Sequence, residues 1–459
     1  MENNINNTTI EPVFEDMIEI NLDSKWLVKS MYAYFIEKDD GTYIVYSTFN
    51  GAVITFTEPE WIERLMTVIE NEIIEDNEED ELIVTLKNRK ILIDPETDEL
   101  LLVRMIYEEN IIRNNDLHLI MHVSKNCNFN CVYCGQDHEN IRMNEDTYNA
   151  TLKFIGHHVK QNRCDKLSIS FMGGEPLLEY KQICSFVEKL KLEFPNLPLS
   201  LHFTTNAYLL TPDKFEKLSS LAYVSYQITM DGGKETHDKY RALASGKGTW
   251  DKIFENVEYM ISTQHNFDIN LRSNINAEVI ETLPEFYDLI KMKFDSDNRI
   301  MLWFAPIKNY GNILTPDLLT KDEEIISTIY VSNLVKNTKF KSYNLVFDTF
   351  PCNQVCSATK PNNYNITYNS QVEKCEFIIG EKCNLLGELS INGTLILNDE
   401  IYAKWVYNDY LTEQKCKECR LLPLCFGKKC PKHKIIEGMF YCNSDDQEKE
   451  MLEVLKNFY

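Results

Sequence analysis

The segment CNFNCVYC, residues 127–134, puts Cys127, Cys131 and Cys134 in one short stretch with spacing C-x3-C-x2-C. Thiolates this close together are soft ligands suited to zinc or to an iron–sulfur cluster. A structural zinc wants four ligands, yet the stretch holds no fourth cysteine, and the spacing of His138 suits it poorly as a substitute. Three thiolates on a four-iron, four-sulfur cube leave one iron open, and an open iron can hold a substrate. Further on, MGGEP at 172–176 joins two glycines, which permit close backbone approach to a ligand, to Glu175, which can accept a hydrogen bond from an ammonium group. Alone, that pentapeptide reads more simply as a tight β-to-α turn.

Taken together, Cys127, Cys131, Tyr133 and Cys134 followed by Gly173, Gly174, Glu175 and Pro176 resemble the radical S-adenosylmethionine (radical SAM) superfamily. The resemblance implies that the three cysteines hold a [4Fe–4S] cluster whose fourth iron is chelated by the amino and carboxylate groups of SAM. It also implies that Tyr133 lies near the adenine and that Gly173–Pro176 contacts the SAM amino group. The segment QITMDGGKETHDKYR, residues 227–241, is similar to the fourth-strand region of a subset of that superfamily, with Thr229 where a serine is usual. By that likeness Arg241 pairs with the SAM carboxylate, a contact suited to its planar fork; a surface ion pair with Asp238 is the competing reading. In TTNA, residues 204–207, Ala207 stands where relatives commonly have glycine, and Asn206 either lines the pocket or serves a structural turn.

Fourteen cysteines are distributed unevenly: none before residue 127, five from 127 to 184, nine from 352 to 442. The run CKECRLLPLCFGKKC and its surroundings resemble the SPASM extension of peptide and protein maturases, which carries two auxiliary [4Fe–4S] clusters. The likeness assigns Cys352, Cys356, Cys375 and Cys430 to one cluster and Cys416, Cys419, Cys425 and Cys442 to the other, making three clusters with the first. The chain departs from the pattern in having Ser370 where a glycine is expected and four residues, Phe426 to Lys429, between the last cysteines of the run. Cys383 falls outside the scheme and could replace a ligand. Cys164 and Cys184 read as small buried apolar side chains, and without the middle region the C-terminal run would read equally as structural zinc.

The elements that must position these residues follow from periodicity. Short apolar strands at 117–124, 166–173, 199–206, 224–232, 269–275 and 300–307 alternate with amphipathic helices such as 144–161 and 180–194. Six βα repeats predict an α/β fold with a partial (β/α)6, TIM-like barrel whose chemistry sits at the carboxyl ends of the strands. The cysteine triad falls directly after the first strand. Upstream, residues 43–56 predict a hairpin around Asn50-Gly51, and helices begin near Pro59 and Glu79. The domains expected are an N-terminal winged-helix-like peptide-recognition region at 1–110, a radical SAM core at 115–320 and an iron–sulfur SPASM region at 345–459.

The whole chain narrows the setting. A 459-residue chain buries enough core to need no disulfide staples. Its start lacks a basic segment followed by an apolar run, and no stretch has the roughly 18 apolar residues of a membrane span, so a cytosolic, non-membrane protein is expected. A net charge of −24 argues against a nucleic-acid partner. The resemblance implies an enzyme that modifies a ribosomally made precursor peptide through a 5'-deoxyadenosyl radical, with a thioether cross-link as the leading product. It also implies an electron donor such as a reductase with flavodoxin, or a ferredoxin. Carbon–carbon cross-linking and sulfatase maturation (formylglycine generation) are the alternatives within this chemistry; a noncatalytic iron–sulfur or zinc protein is the alternative outside it.

Overall fold

The structure, a computed structural model, describes residues 24–459 except 114, 162, 295–296, 309–317, 337, 344–348, 353–354, 408–412, 428–429, 439–441 and 443. Two compact units emerge. One comprises the described residues within Met1–Asn114, Asn344–Cys356 and Asp409–Tyr459, the other those within Asn115–Tyr343 and Ser357–Asn408.

In the first unit, strands β1 (Trp26–Lys29), β2 (Ala33–Glu37), β3 (Tyr43–Ser47), β4 (Val53–Phe56), β5 (Ile73–Glu75) and β6 (Leu92–Ile93) form two antiparallel sheets, ordered β5-β1-β6 and β2-β3-β4. The β3–β4 hairpin turns at Asn50-Gly51, where Gly51 has φ 76°. A helix follows at Pro59–Glu70, and a second at Glu81–Asn88 begins just past Glu79 because Asp80 accepts from the backbone of Leu82 and Ile83. One core gathers Leu27, Val45, Ile54, Phe56, Leu65 and Leu86. A second packs Tyr32, Phe49 and Tyr107 against Cys416, Leu422 and Phe426, so the C-terminal cysteine run and the N-terminal strands share buried apolar surface.

The second unit is built on β7 (Leu117–Ser124), β8 (Leu167–Gly173), β9 (Leu199–Thr205), β10 (Tyr223–Thr229), β11 (Phe267–Ile275) and β12 (Ile300–Pro306), all parallel and in sequence order, as the six βα repeats predict. The sheet does not end there. β13 (Lys341–Ser342) extends it beyond β12, while β14 (Asn363–Ile366) pairs in parallel with β7 and leads into an antiparallel run of β15 (Gln371–Glu373), β16 (Leu385–Leu389) and β17 (Leu395–Leu397).

The two faces of this sheet differ chemically. Leu119, Met121, Ile169, Phe171, Phe203 and Tyr226 are fully buried, and Phe215 of the helix Pro212–Leu221 packs on Tyr226 and Phe267. Alternate residues on the opposite face are polar and joined across strands: His118 to Ser170 at 2.8 Å, Ser168 to Ser200 at 2.9 Å, His202 to Ser225 at 2.8 Å. Among the described residues no helix is long and apolar enough to cross a membrane.

Candidate metal centre

The loop after β7 is strapped on two sides before any ligand is considered. On one side, Gly174 N–H donates to Ser124 O and Glu175 N–H to Asn126 O, each at 2.9 Å. A Cβ on Gly173 would lie 2.1 Å from Ser124 O and one on Gly174 2.3 Å from Asn126 O, so the paired glycines let the end of β8 touch the backbone that launches Cys127. The close approach expected toward a ligand is thus, first, an approach to the cysteine loop itself. On the other side, Asn130 N–H bonds Ala242 O, Val132 N–H bonds Tyr240 O and Ala244 N–H bonds Asn128 O, all at 3.0 Å, while Phe129 is buried.

Cys127, Cys131 and Cys134 lie near enough to feel one another. Burial, then the charges of Glu175, Cys131 and Cys134, push the Cys127 thiol up to about 12 against a bond from Phe129 N–H. Burial also raises Cys131, with Arg241 pulling it down and Cys134 adding to the rise. Thiols raised as Cys127 and Cys131 are become thiolates readily only beside a strong positive centre, which a metal supplies. Among the described residues no three Cys, His, Asp or Glu side chains converge on one point where a single ion could sit. Three thiols on one loop are the donor set that a [4Fe–4S] cluster would take at three of its corners. His138 Nε2 stands 3.7 Å from Cys134 Sγ.

Beside the loop, Tyr133 Oη donates to Asp231 and accepts from Arg241 Nη1 at 2.8 Å and Asn274 Nδ2 at 2.9 Å. Arg241 is 7% exposed, and its Nε is buried without a partner among the described residues. It makes no surface ion pair with Asp238: that carboxylate instead accepts from Thr249 N–H and Trp250 N–H at the start of the helix Trp250–Ser262. His237 holds the backbone here. Burial and the Arg241 charge keep its imidazole far below its ordinary pKa, so Nδ1 accepts from Asp231 N–H at 3.1 Å and Nε2–H faces Thr249 Oγ1 at 3.0 Å. Thr249 Oγ1 in turn donates to Arg241 O at 2.7 Å.

Glu175 is fully buried at the head of the 3-10 turn Pro176–Glu179. Its Oε1 accepts from Leu177 N–H at 2.9 Å and Thr205 Oγ1 at 2.7 Å, its Oε2 from Asn206 N–H at 2.8 Å. Asn206 reaches the cysteine loop through Nδ2 to Asn128 Oδ1 at 2.8 Å. Ala207 has φ 57° and Ser370 φ 66°, so the two positions where glycine was expected keep the left-handed backbone a glycine would favour. Thr229 is buried at the end of β10, opposite Arg272 of β11.

In the first unit Cys416, Cys419 and Cys442 sense one another. Burial and then the charges of Cys442 and Cys419 raise Cys416 to about 11. Cys425 Sγ accepts from Gly427 N–H at 3.3 Å. Cys352 and Cys356 are half-buried and Cys430 is exposed, all in this unit. Cys375 and Cys383 belong to the second unit, where Asn384 Oδ1 accepts from Cys375 N–H at 2.8 Å and Trp405 Nε1–H donates to Cys383 O at 3.0 Å. Cys164 and Cys184 are buried. Sequence reasoning missed Asn274 and the polar face of the barrel strands. The signal was present in the period-two alternation of HLIMH, SIS and SLHF, which places histidine and serine on one face.

Comparison with known proteins matches residues 121–289 to the family model described as Radical SAM superfamily. A cysteine-type anaerobic sulfatase-maturating enzyme of Clostridium novyi (strain NT) is 24% identical over 342 residues, 67% of this chain and 86% of the relative. The radical SAM cyclopropyl synthase TigE of Paramaledivibacter caminithermalis is 24% identical over 454 residues, 88% of this chain and 90% of the relative. Among solved structures, anSMEcpe with bound AdoMet and a peptide superposes with TM-score 0.58 at 17% identity, covering 74% of this chain and 96% of that one.

Proposed function

Because the chain belongs to the radical SAM superfamily and is an enzyme of it, we propose that it is a peptide maturase that forms a thioether between a cysteine sulfur and a carbon of a precursor peptide. The observation that carries the radical chemistry of this reading is the strapped three-thiol loop with the Arg241 Nε beside it, which has no partner among the described residues. With a reduced [4Fe–4S] cluster and SAM bound, the site would supply one-electron reductive cleavage of SAM and removal of a hydrogen atom from the substrate, releasing methionine and 5'-deoxyadenosine.

The chain's own residues do the rest. Cys127, Cys131 and Cys134 would hold the cluster. Arg241, already fixed by Tyr133 and oriented through Thr249, would meet the SAM carboxylate with its free Nε–H. The pocket-side faces of Tyr133, Gly173–Pro176, Asn206 and Thr229 would bound the nucleotide, and Glu175, with one bond on Oε2, keeps capacity for the SAM ammonium. Auxiliary clusters on Cys352, Cys356, Cys375 and Cys430 and on Cys416, Cys419, Cys425 and Cys442 belong to the same proposal, as does a flavodoxin or ferredoxin donor.

Peptide recognition is supported by the N-terminal unit. Among the described residues β5 pairs only with β1, and a cavity of about 290 Å³ lies against it between Arg64, Ile73, Ile74 and Leu82. An extended leader segment can add to such an edge. Carbon–carbon closure is the second reading, favoured by likeness to a cyclopropyl synthase along 88% of the chain.

Anaerobic reconstitution tests the chemistry: about twelve irons per chain are expected for three clusters, with reductive release of 5'-deoxyadenosine that Cys131→Ala abolishes without unfolding the protein. Zinc without iron, or cleavage retained in Cys131→Ala, overturns it. Alkylation then separates the products, since a thioether consumes the substrate thiol and a carbon–carbon bond leaves it reactive.

A further inference from the structure

A cavity of about 280 Å³ opens on the polar face of the second unit, bounded by His122 and Ser124 of β7, Gly173 of β8, Gly135 and Gln136 just after Cys134, the turn at Thr367, and Glu376. Its volume suits one or two side chains rather than a large cofactor. His122 is 5% exposed, and its Nε2 is buried with no hydrogen-bond partner among the described residues. That is a costly state for a ring nitrogen unless something enters the cavity to meet it. Two residues along the same face, Asn365 of β14, opposite Ile120, has both ends of its carboxamide buried and unpartnered as well. Glu376 presents a carboxylate from another wall.

Resting on the peptide-maturase reading, we infer that this cavity is a subsite for an uncharged donor–acceptor group of the substrate, a carboxamide above all, and that His122 Nε2 is its specificity-determining contact. A carboxamide can donate to Glu376 through its NH2 and meet His122 through its remaining donor or oxygen, using both groups without bringing in a charge. Burial holds the His122 imidazole at about 4, so it is neutral at pH 7, and Lys125, which also lines the cavity, is paired with Glu139 at 2.7 Å, so neither is offered as an unpaired cation to a carboxylate ligand. An apolar side chain in the same space would leave the ring nitrogen unpaired, and sites built around such groups reject analogues that cannot satisfy them.

The test is calorimetric titration of the reconstituted, SAM-loaded enzyme with the N-acetyl-N-methylamides of glutamine, leucine, glutamate and lysine. Glutamine is expected to bind about tenfold more tightly than leucine, the preference to disappear in His122→Phe and to return in His122→Gln, which restores polar atoms without the ring. Leucine or a charged derivative binding best overturns the inference, as does a preference for glutamine unchanged in His122→Phe. The same preparations are assayed for reductive SAM cleavage. Cleavage without a His122-dependent preference defeats the subsite alone, whereas the preference without cleavage defeats the maturase reading and leaves the subsite standing.

Discussion

Gly174→Ala isolates the reason for the paired glycines. A Cβ at this position would lie 2.3 Å from the Asn126 carbonyl oxygen, 2.6 Å from its carbon and 2.9 Å from Lys125 O. Ordinary C···O contact is about 3.3 Å, so the end of β8 and the cysteine loop must separate by about 1 Å. Two bonds of 2.9 Å join those backbones, Gly174 N–H to Ser124 O and Glu175 N–H to Asn126 O, and both would be stretched past useful range. At about 1 kcal/mol each, with about 1–3 kcal/mol for overpacking, the native loop geometry loses about 3–5 kcal/mol. The sheet is deeply packed and the loop is not, so the loop yields. Iron and sulfide content after anaerobic reconstitution should fall, and 5'-deoxyadenosine formation should drop by about a hundredfold or more, with little change in helical circular dichroism. Gly246→Ala is the control: its φ is 83° with nothing within 4 Å of the added carbon, so it carries strain of about 1 kcal/mol and no clash. A Gly174→Ala enzyme with wild-type iron content and SAM cleavage would refute the reasoning.

Arg241→Lys should weaken SAM binding by at least about thirtyfold, because lysine keeps the charge but loses the fork shared with Tyr133; equal affinity by calorimetry would remove Arg241 from the site. Glu75→Pro should weaken binding of a leader peptide while leaving the fold intact. Asp76 N–H donates to Lys25 O, just before β1, at 2.9 Å, so the neighbouring Glu75 N–H points away from β1, toward the edge that an added strand would use. Unchanged leader affinity would argue against strand addition. Leu422→Ala should cost the first unit about 2–5 kcal/mol and speed amide exchange in β2–β4, because Leu422 is fully buried with Tyr32 and Phe49; exchange confined to the C-terminal segment would contradict a shared core. Acid should destabilise the barrel unit from pH 6.5 downward. His118, His122 and His202 are held at about 4 by burial, below their ordinary 6.5, so the unfolded chain takes up protons first and stability is lost as pH falls toward 4. Fully buried His122 alone accounts for about 3 kcal/mol, and denaturation midpoints that stay flat from pH 7 to 4.5 would exclude this.

The strand positions were legible because each barrel strand is a short branched or aromatic run between turn signals. Leu117–Ser124 agrees with the 117–124 expectation, while β10 stops at Thr229 rather than at 232, since Met230–Gly232 already turns toward the helix Lys234–Tyr240. The extension of the sheet from β7 into β14–β17 was not legible. Parallel pairing of Asn363–Ile366 with His118–Met121 joins segments more than two hundred residues apart, and nothing in the periodicity of either encodes the partner. The packing of Leu422 and Phe426 with Tyr32 was hidden for the same reason. For the site, residue types carried the identity of the ligands but not the supports: Asn274 and Thr249 are ordinary polar residues whose roles exist only once Tyr133 and Arg241 are placed against them.

Glu175 shows how positioning and chemistry divide in this site. Its carboxylate is buried among three donors, Leu177 N–H, Thr205 Oγ1 and Asn206 N–H, which together start the 3-10 turn, hold the end of β9 and set Asn206 against Asn128 in the cysteine loop. Burial raises its pKa, and those three donors pull it down. Replacement by glutamine keeps the shape but exchanges one acceptor for a donor, which meets Leu177 N–H or else Asn206 N–H head-on, leaving a buried conflict of about 1–3 kcal/mol. Glu175→Gln is therefore expected to lower iron content as well as SAM affinity, because the loop loses its anchor through Asn206. A variant with full iron content and weakened SAM binding would instead assign Glu175 to the ligand alone.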